Sequence, residues 1–246
     1  MMPSAGVRIE YVNDYPVAVI EFNEKVEILS SCVSNGGLRE TDTVIIMQVS
    51  SRYDNENPQT DIDKVIEILK LPEDTVAFMT AAEVDHVISD VSVTFEGNNA
   101  RAIATAGLSN QVIAGDIIAD YEERYKISEK RRLALKHAGT INIIGISDVP
   151  FTDAAKVNAI IAMTEAKSAA MHDLGFRETG TTSDAIAVIC PKNGERVNYA
   201  GTGFGIGIAL ARSVRDAVRK CLVKRGDFPY DMCEEDCDRL RRQYGE

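Results

Sequence analysis

The second half of the chain contains the pattern that most restricts the fold, namely two short buried strands on either side of one long helix. Residues 140–147 and 185–190 are apolar runs of strand length, which predict buried strands. Thr152 can cap a helix over residues 153–174, and Gly175 is placed to end it. Because such a helix and such strands must bury their apolar sides against each other, this half predicts layers of helix on sheet.

The first half consists mainly of strand patterns. Residues 7–9 and 16–22 predict a hairpin with Asn13 and Asp14 at its turn, and residues 61–71 predict a short amphipathic helix. Further strands are predicted over residues 26–31, 43–50, 75–80, 87–95, 100–106 and up to residue 200 after an Asn193-Gly194 turn. A last helix is predicted over residues 206–224, and the highly charged residues 121–137 fit either a solvated helix or a loop insertion.

These elements predict an α+β (or mixed α/β) fold with a central mixed sheet and two long helices in the C-terminal half. We expect one layered domain over residues 1–226, followed by an acidic, loosely packed tail over residues 227–246. A length of 246 residues suits this organisation.

Composition narrows the class of function. A formal net charge of −11 makes a nucleic-acid partner unexpected, because phosphate backbones are bound by basic surfaces. We find no secretory signal and no apolar run of membrane-spanning length, so no membrane span is expected. Five scattered cysteines do not form a disulfide framework, and we expect a cytoplasmic protein that acts on a small molecule, with homo-oligomerisation left open.

Six short motifs, mostly at the ends of apolar runs, combine small residues with Ser, Thr, Asn or Asp. They are Ser34-Asn35-Gly36-Gly37, Thr105-Ala106-Gly107-Leu108-Ser109-Asn110, Gly139-Thr140-Ile141-Asn142-Ile143, Glu165-Ala166-Lys167, Thr179-Gly180-Thr181-Thr182-Ser183-Asp184-Ala185 and Tyr199-Ala200-Gly201-Thr202. Loops of this kind on a rigid scaffold present hydroxyls, amides and backbone N–H groups to a ligand. The set therefore predicts a polar binding cleft.

The long predicted helix carries a geometric argument about two of its charged residues. Asn158 and Glu165 fall on one face at helical spacing, whereas Lys167 points elsewhere because residues two apart do not face each other. The helix is apolar nearly all round, so we expect it to be buried between layers. A buried Glu needs a partner or a function, and we assign the catalytic face to Glu165 and a structural role to Lys167, with a structural Glu165 as the alternative.

Two further segments have both functional and structural interpretations. Asp184 can act as a general base or can cap a turn by binding backbone N–H groups. The alternating glycines Gly201, Gly203, Gly205 and Gly207 before the last helix can form an anion site or an oxyanion hole, or can allow close packing.

The ordered set of motifs resembles the adenosylcobinamide amidohydrolase family of corrinoid salvage, over roughly residues 29–222 and most strongly between Gly139 and Ala185. Two departures from the family pattern stand out. This chain has Thr182-Ser183 where Gly-Thr is expected, and Ile208 where an acidic residue is expected after Gly207.

The resemblance implies hydrolysis of the amide that joins a corrin propionate to aminopropanol in adenosylcobinamide. The products would be adenosylcobyric acid and 1-amino-2-propanol, in a salvage pathway of archaea and some bacteria. The substrate carries its own cobalt and adenosyl group, so we expect no separate cofactor and no metal site in the protein. The alternative is a non-catalytic corrinoid-binding or regulatory protein on the same scaffold.

Amide hydrolysis needs an activated nucleophile, an oxyanion stabiliser and a proton for the leaving amine. We assign the activation of water to Asp184 or Glu165, and a covalent route through Thr181, Thr182 or Ser183 stays open. Asn110 and Asn142 are expected to supply hydrogen-bond donors. The predicted substrate-binding residues are Asn35, Gly36, Thr105, Gly107, Ser109, Asn110, Asn142, Asn158, Thr181 and Thr202.

Overall fold

The computed structural model describes residues 2–117 and 139–245, in which ten strands and five helices are found. The strands are β1 (Ala5–Val12), β2 (Tyr15–Ser30), β3 (Gly37–Gln48), β4 (Val76–Thr80), β5 (Ser89–Phe95), β6 (Asn98–Ala106), β7 (Gln111–Val112), β8 (Ile141–Ser147), β9 (Gly180–Thr181) and β10 (Ala185–Cys190). The helices are α1 (Gln59–Leu69), α2 (Val84–Val87), α3 (Asp153–Asp173), α4 (Gly205–Arg225) and α5 (Glu234–Tyr244). The prediction for residues 121–137 lies outside the described residues.

Eight of these strands form one mixed sheet in the order β4-β3-β2-β10-β8-β6-β5, with β1 paired to β2. The pairs β3–β4 and β8–β10 are parallel and the other pairs of this sheet are antiparallel. The short strands β7 and β9 pair separately. The α+β fold with a central mixed sheet and two long helices in the C-terminal half is thus confirmed.

The predicted turn residues, helix cap and helix-ending glycines adopt the expected conformations. Asn13 and Asp14 adopt φ values of 51° and 66° at the first hairpin turn, as a two-residue turn between twisted strands demands. The hydroxyl of Thr152 accepts a hydrogen bond from Ala155 N at 3.3 Å and so caps α3. Gly175 and Gly226 follow α3 and α4 with φ values of 89° and 75°, the left-handed conformation that glycine adopts without a Cβ clash.

Helices α3 and α4 pack on one face of the sheet, where Ile143, Met163 and Leu210 share an apolar core. The opposite face is enclosed by the curl of the sheet itself, and its core contains Phe78 from the edge strand β4 together with Ile144 from β8. This curl turns the free edge of β4 toward the beginning of β8, where Asn142 Nδ2 donates to Met79 O at 3.0 Å. Loops from distant parts of the chain therefore meet at that end of the sheet.

The prediction that α3 is buried on all sides is wrong. Its buried side consists largely of Ala, with Lys156, Met163 and Met171 among the exceptions, whereas Glu165 is exposed and Ile161 is 52% exposed. The reason is that α3 and α4 form an outer layer, so one side of each helix faces the sheet and the other faces solvent.

Two smaller expectations about strands also differ from the structure. Strand β3 begins at Gly37 rather than at residue 43, because β2 continues to Ser30 and pairs with it. The strand predicted up to residue 200 is reduced to a single bridge between Phe151 and Val197.

The tail is not loosely packed. It contains α5, with Cys237 and Leu240 buried, and the Arg241 guanidinium lies 5.1 Å from the centre of the Phe228 ring. Its acidic composition hid this short amphipathic pattern. No helix in the described ranges is long and apolar enough to cross a membrane.

Candidate functional site

Asp184, directly before β10, is the centre of a polar cluster. Its Oδ1 accepts hydrogen bonds from Ile141 N at 3.0 Å and from the Thr181 hydroxyl at 2.6 Å. Its Oδ2 accepts from Thr181 N at 3.0 Å and from Lys167 Nζ at 2.5 Å. A carboxylate offers about four lone-pair positions, so Asp184 is filled by these four donors and orients every one of them.

Residue 180 lies so close to Asp184 and Lys167 that only a glycine fits there. A Cβ at residue 180 would lie 2.2 Å from Asp184 Oδ2 and 2.4 Å from Lys167 Nζ, which is far inside van der Waals contact. The Lys167 ammonium can reach Asp184 only because this position has no side chain. Two successive motifs, whose paired residues are 17 positions apart in the sequence, are thereby joined around one ion pair, whose side chains are 12% and 15% exposed.

Two buried polar residues face each other on the neighbouring strands, on the sheet face opposite to α3. Thr105 on β6 is the direct partner of Asn142 on β8, and both are fully buried. Because Met79 O is an acceptor, the amide nitrogen of Asn142 must face it, and its Oδ1 is left over. In the described part of the chain neither Asn142 Oδ1 nor the Thr105 hydroxyl has a hydrogen-bond partner.

The loop after β6 packs directly on the segment before β8. A Cβ at Gly139 would lie 2.6 Å from Ser109 N and from Gly107 O, so the two backbones touch. Asn110 Nδ2 donates to the Thr182 hydroxyl at 2.6 Å, and Asn110 Oδ1 has no partner among the described residues. Thr182 thus holds the amide of Asn110.

Ser183 completes the cluster on its outer side. Its hydroxyl lies 2.8 Å from the Thr140 hydroxyl and donates to Gly139 O at 2.9 Å, and the residue is exposed. We call this set the Lys167–Asp184 cluster, and its side chains come from Asn110, Thr140, Lys167, Thr181, Thr182, Ser183 and Asp184.

The loop between β2 and β3 lies at the same end of the sheet, since Ser31 N donates to Ile186 O at 3.0 Å. Asn35, however, directs its amide nitrogen to Glu73 O and Thr75 O at 3.1 and 2.9 Å. A Cβ at Gly36 would lie 2.6 Å from Cys32 O. Both predicted binding residues therefore have a structural task in this loop. Burial raises the pKa of the nearby Cys32 thiol to about 12.

Glu165 and Thr202 lie elsewhere, in an open groove of about 310 Å³ on the solvent side of the two long helices. We call it the α3–α4 groove, and its walls include Ala162, Ala166, Ile208, Ala211, Arg212 and Arg215. Asn158 lies two turns before Glu165 on α3. The prediction that Glu165 and Lys167 point to different places is confirmed, but the cluster gathers around Lys167 rather than Glu165.

Close packing explains two of the four alternating glycines around the start of α4, Gly205 and Gly207. A Cβ at Gly207 would lie 2.0 Å from Gly201 O, and one at Gly205 would lie 2.4 Å from Asn98 Nδ2. By contrast, a Cβ at Gly201 or Gly203 would have no atom within 4 Å.

Another lysine of α3, Lys156, is buried and was not predicted from the sequence to belong to any site. Lys156 is 1% exposed, and its Nζ lies 2.6 Å from Glu27 Oε2 and 2.9 Å from Asp153 Oδ1. Hydrogen bonds from Arg196 and then from Lys156 lower the pKa of Glu27 to about 2. Burial acts to lower the pKa of Lys156, but its bonds to Glu27 and Asp153 outweigh burial and raise it. The sequence feature that could have indicated this ion pair is the position of Lys156 among the apolar residues on the inward face of α3.

The fold and the cluster define an α+β protein whose polar site is built from hydroxyls, carboxamides and a lysine–carboxylate pair. The model of the adenosylcobinamide amidohydrolase family matches residues 3–228 of this chain, and the chain belongs to that family. An amidohydrolase is the class of enzyme that this family name supports.

Three archaeal relatives are similar to this chain, and two of them carry the name of the family. An uncharacterized protein of Methanocaldococcus jannaschii is 29% identical over 230 residues, which cover 87% of this chain and 88% of the relative. An adenosylcobinamide amidohydrolase of Methanosarcina mazei is 27% identical over 204 residues, or 78% and 88% of the two chains. Another, of Halobacterium salinarum, is 39% identical over 97 residues, or 39% and 41% of the two chains.

Proposed function

We propose that this protein hydrolyses the amide between the corrin propionate and aminopropanol of adenosylcobinamide, releasing adenosylcobyric acid and 1-amino-2-propanol. The observation that carries the proposal is the Lys167–Asp184 pair, around which four of the six sequence motifs converge. Membership of the amidohydrolase family supports the reaction class. The cobalt and the adenosyl group belong to the substrate.

In this site Lys167 is the group best placed to act on the scissile amide. One of its three N–H donors is used by Asp184, and a partly exposed ammonium can stabilise the oxyanion and give a proton to the leaving nitrogen. Asp184 holds the Lys167 ammonium in place. Because its lone pairs are filled, this orienting role suits Asp184 better than direct activation of water, the role that the sequence suggested.

Asn110 and Asn142 offer acceptors rather than the donors expected from the sequence. Their amide nitrogens are engaged within the protein, and their Oδ1 atoms remain. Asn142 Oδ1 lies on the sheet face opposite to Lys167, so Asn110 Oδ1 is the acceptor on the side of the cluster, and the N–H groups of the substrate's amides are suitable donors for it. A buried carbonyl without a partner costs about 1–3 kcal/mol, so a donating ligand would offset that cost.

Two nucleophiles fit this arrangement. One is a water molecule beside Lys167, whose proton would return to Lys167 after that group has protonated the leaving nitrogen of aminopropanol. The other is the hydroxyl of Ser183, which would lose its proton in the same way and form an ester with the corrin acyl group as aminopropanol leaves. Water would then hydrolyse this ester and free the serine. Mass spectrometry of protein quenched during turnover separates the two routes, because only the second adds the mass of the corrinoid acyl group to the chain.

The test of the function is an incubation of purified protein with adenosylcobinamide, with and without a chelator, resolved by mass. Appearance of adenosylcobyric acid and aminopropanol is the expected result, and the chelator arm reports whether a metal takes part. A shift of the visible corrinoid spectrum without release of aminopropanol would replace the proposal by the corrinoid-binding alternative. Neither turnover nor binding would contradict both.

A further inference from the structure

The loop after β6, residues 107–110, forms one wall of the Lys167–Asp184 cluster. Its backbone packs directly on Gly139, where a Cβ would have no room. Its last residue, Asn110, donates from Nδ2 to the Thr182 hydroxyl at 2.6 Å. The position of this loop therefore decides where Asn110 and Thr182 lie beside the ion pair.

A carboxylate from beyond the end of α4 holds the backbone of the same loop. Leu108 N donates to Asp227 Oδ2 at 2.9 Å, and Arg225 Nη1 lies 2.9 Å from each oxygen of Asp227. The side chain of Asp227 is 15% exposed, and burial raises its pKa even though Arg225 opposes this effect. Keeping a carboxylate here costs free energy that a neutral residue would avoid, so a role for its bond to Leu108 N is expected.

Arg225 lies between two carboxylates and against the loop. Its Nε donates to Glu83 Oε2 at 3.0 Å, while its Nη1 holds Asp227. A Cβ at Gly107 would lie 3.5 Å from Arg225 Cζ and 3.0 Å from Ala82 Cβ, and the second distance is shorter than carbon atoms prefer. Gly107, which the sequence predicted to bind the substrate, therefore lets the loop lie against Arg225.

The bond from Asp227 to the loop is separate from the ending of α4. Gly226 has a φ of 75°, and Asp227 N donates to Leu222 O at 2.9 Å, the pattern of a Schellman ending. Backbone atoms alone make this ending, so the helix stops without the carboxylate. The carboxylate reaches instead to the loop, from the first residue of the segment that the sequence predicted to be a loose tail.

We propose that Asp227, held by Arg225, is a positioning residue that fixes residues 107–110 against the Lys167–Asp184 cluster and so sets how tightly the site binds its substrate. The inference rests on the proposed function for the reaction, in which Asn110 Oδ1 is the acceptor that this loop presents. Asp227 touches no reacting atom and acts through Leu108 and Asn110. Its loss should therefore raise KM, whereas kcat depends on the Lys167–Asp184 pair.

The structural part of the inference is tested without substrate, by hydrogen exchange of the full chain resolved to single amides by NMR. In Asp227→Ala the Leu108 amide loses its acceptor, so its exchange should accelerate about tenfold or more, as loss of a hydrogen bond to a charged group predicts. Amides in the middle of α4 should keep their wild-type protection. Glu83→Gln is the matched control, because it alters the other partner of Arg225 and leaves the acceptor of Leu108 N in place.

The functional part is tested by steady-state hydrolysis of adenosylcobinamide. Asp227→Ala should raise KM about tenfold and change kcat less than about threefold, whereas a variant that merely unfolds more readily would lower the apparent kcat at unchanged KM. In an Asn110→Ala background, Asp227→Ala should raise KM by less than about twofold more, because the loop then has no acceptor left to place. Glu83→Gln should leave both constants near those of wild type.

Unchanged exchange of the Leu108 amide in a folded Asp227→Ala variant, a loss of kcat at unchanged KM, or additive effects with Asn110→Ala would each overturn the inference. Should Asp227→Ala not fold, Asp227→Asn replaces it and should show smaller changes in the same direction, since a neutral acceptor bonds less strongly than a charged one. Wild-type exchange and KM in that variant would overturn the inference equally.

The two proposals can fail separately. Faster exchange of the Leu108 amide in Asp227→Ala, in a protein that does not hydrolyse adenosylcobinamide, would refute the proposed function alone. Hydrolysis by wild type together with unchanged exchange in the variant would refute the positioning role alone.

Discussion

Helix α3 carries two lysines whose side chains are 1% and 12% exposed, each paired with a carboxylate from the sheet side, and the two pairs differ in what surrounds them. Lys156 contacts both Glu27 and Asp153, and Glu27 is also held by Arg196, so every charge of this group has an oppositely charged partner within it. Lys167 has Asp184 as its carboxylate partner in the described part of the chain. Hydroxyls surround this second pair, and unpartnered carbonyls lie close to it.

This contrast suggests a criterion that separates a structural ion pair from a functional one on the same helix. A charged group whose hydrogen-bonding capacity is fully used within the protein stabilises the fold, whereas a pair with unused donors beside unpaired acceptors can bind a ligand. The following variants test whether the Lys156 and Lys167 pairs differ in this way.

The largest effect is expected for Asp184→Asn. The neutral amide cannot hold the Lys167 ammonium and accept four hydrogen bonds, so turnover should fall by about 100-fold or more, while corrinoid binding stays within a few fold. Turnover of adenosylcobinamide and a spectral titration measure the two quantities. Glu165→Gln in the α3–α4 groove is the matched change, expected to alter turnover by less than about threefold. Near-normal turnover in Asp184→Asn, or a large loss in Glu165→Gln, would move the catalytic site to the groove.

Lys167→Met and Lys156→Met compare the pairs directly. Both remove an ammonium and leave a buried carboxylate with fewer partners, so each should lower the free energy of unfolding by roughly 1–3 kcal/mol. Only Lys167→Met should also abolish turnover when assayed at a temperature where both variants are folded. Urea unfolding and steady-state kinetics give the two readouts. Equal losses of turnover would show that both pairs act through stability.

Gly180→Ala should disturb the functional pair by geometry alone. Its Cβ would meet Asp184 Oδ2 and Lys167 Nζ inside contact distance, so we expect turnover to fall about tenfold or more, as misplacement of a catalytic group by about 1 Å predicts. Gly201→Ala is the control, since no atom lies within 4 Å of a Cβ there. A fully active Gly180→Ala would mean that Lys167 need not reach Asp184.

The smallest effect, on stability alone, is expected from protonation of Glu27. Its pKa is about 2 in the folded protein and ordinarily 4.5, so it contributes stability that is present above pH 4.5 and lost as the pH falls toward 2. Acid unfolding of wild type and Glu27→Gln, followed by circular dichroism, should show a shallower pH dependence in the variant over this window. Turnover at neutral pH should change no more than stability requires. Identical acid profiles would contradict the pKa of Glu27.

Part of the site could be predicted from the sequence. The motifs that contain Asp184, Asn142, Asn110 and Thr105 were visible as polar residues at the ends of strands, and the structure gathers them in one place. Asn35 was also visible, but its amide closes a loop. Asp227 was missed because the loop that it holds lies 119 positions earlier in the sequence.

Several local features could be predicted from the sequence alone, namely the turn at Asn13 and Asp14, the cap formed by Thr152 and the ends of α3 and α4. These depend on the backbone preferences and hydrogen bonds of neighbouring residues. The sequence also predicted that Glu165 and Lys167 point to different sides of one helix. Which side of α3 faces the sheet could be seen only in the folded protein, because burial of a helix face depends on the layer packed against it. In this fold Lys167 contacts Asp184, and Glu165 is exposed to solvent.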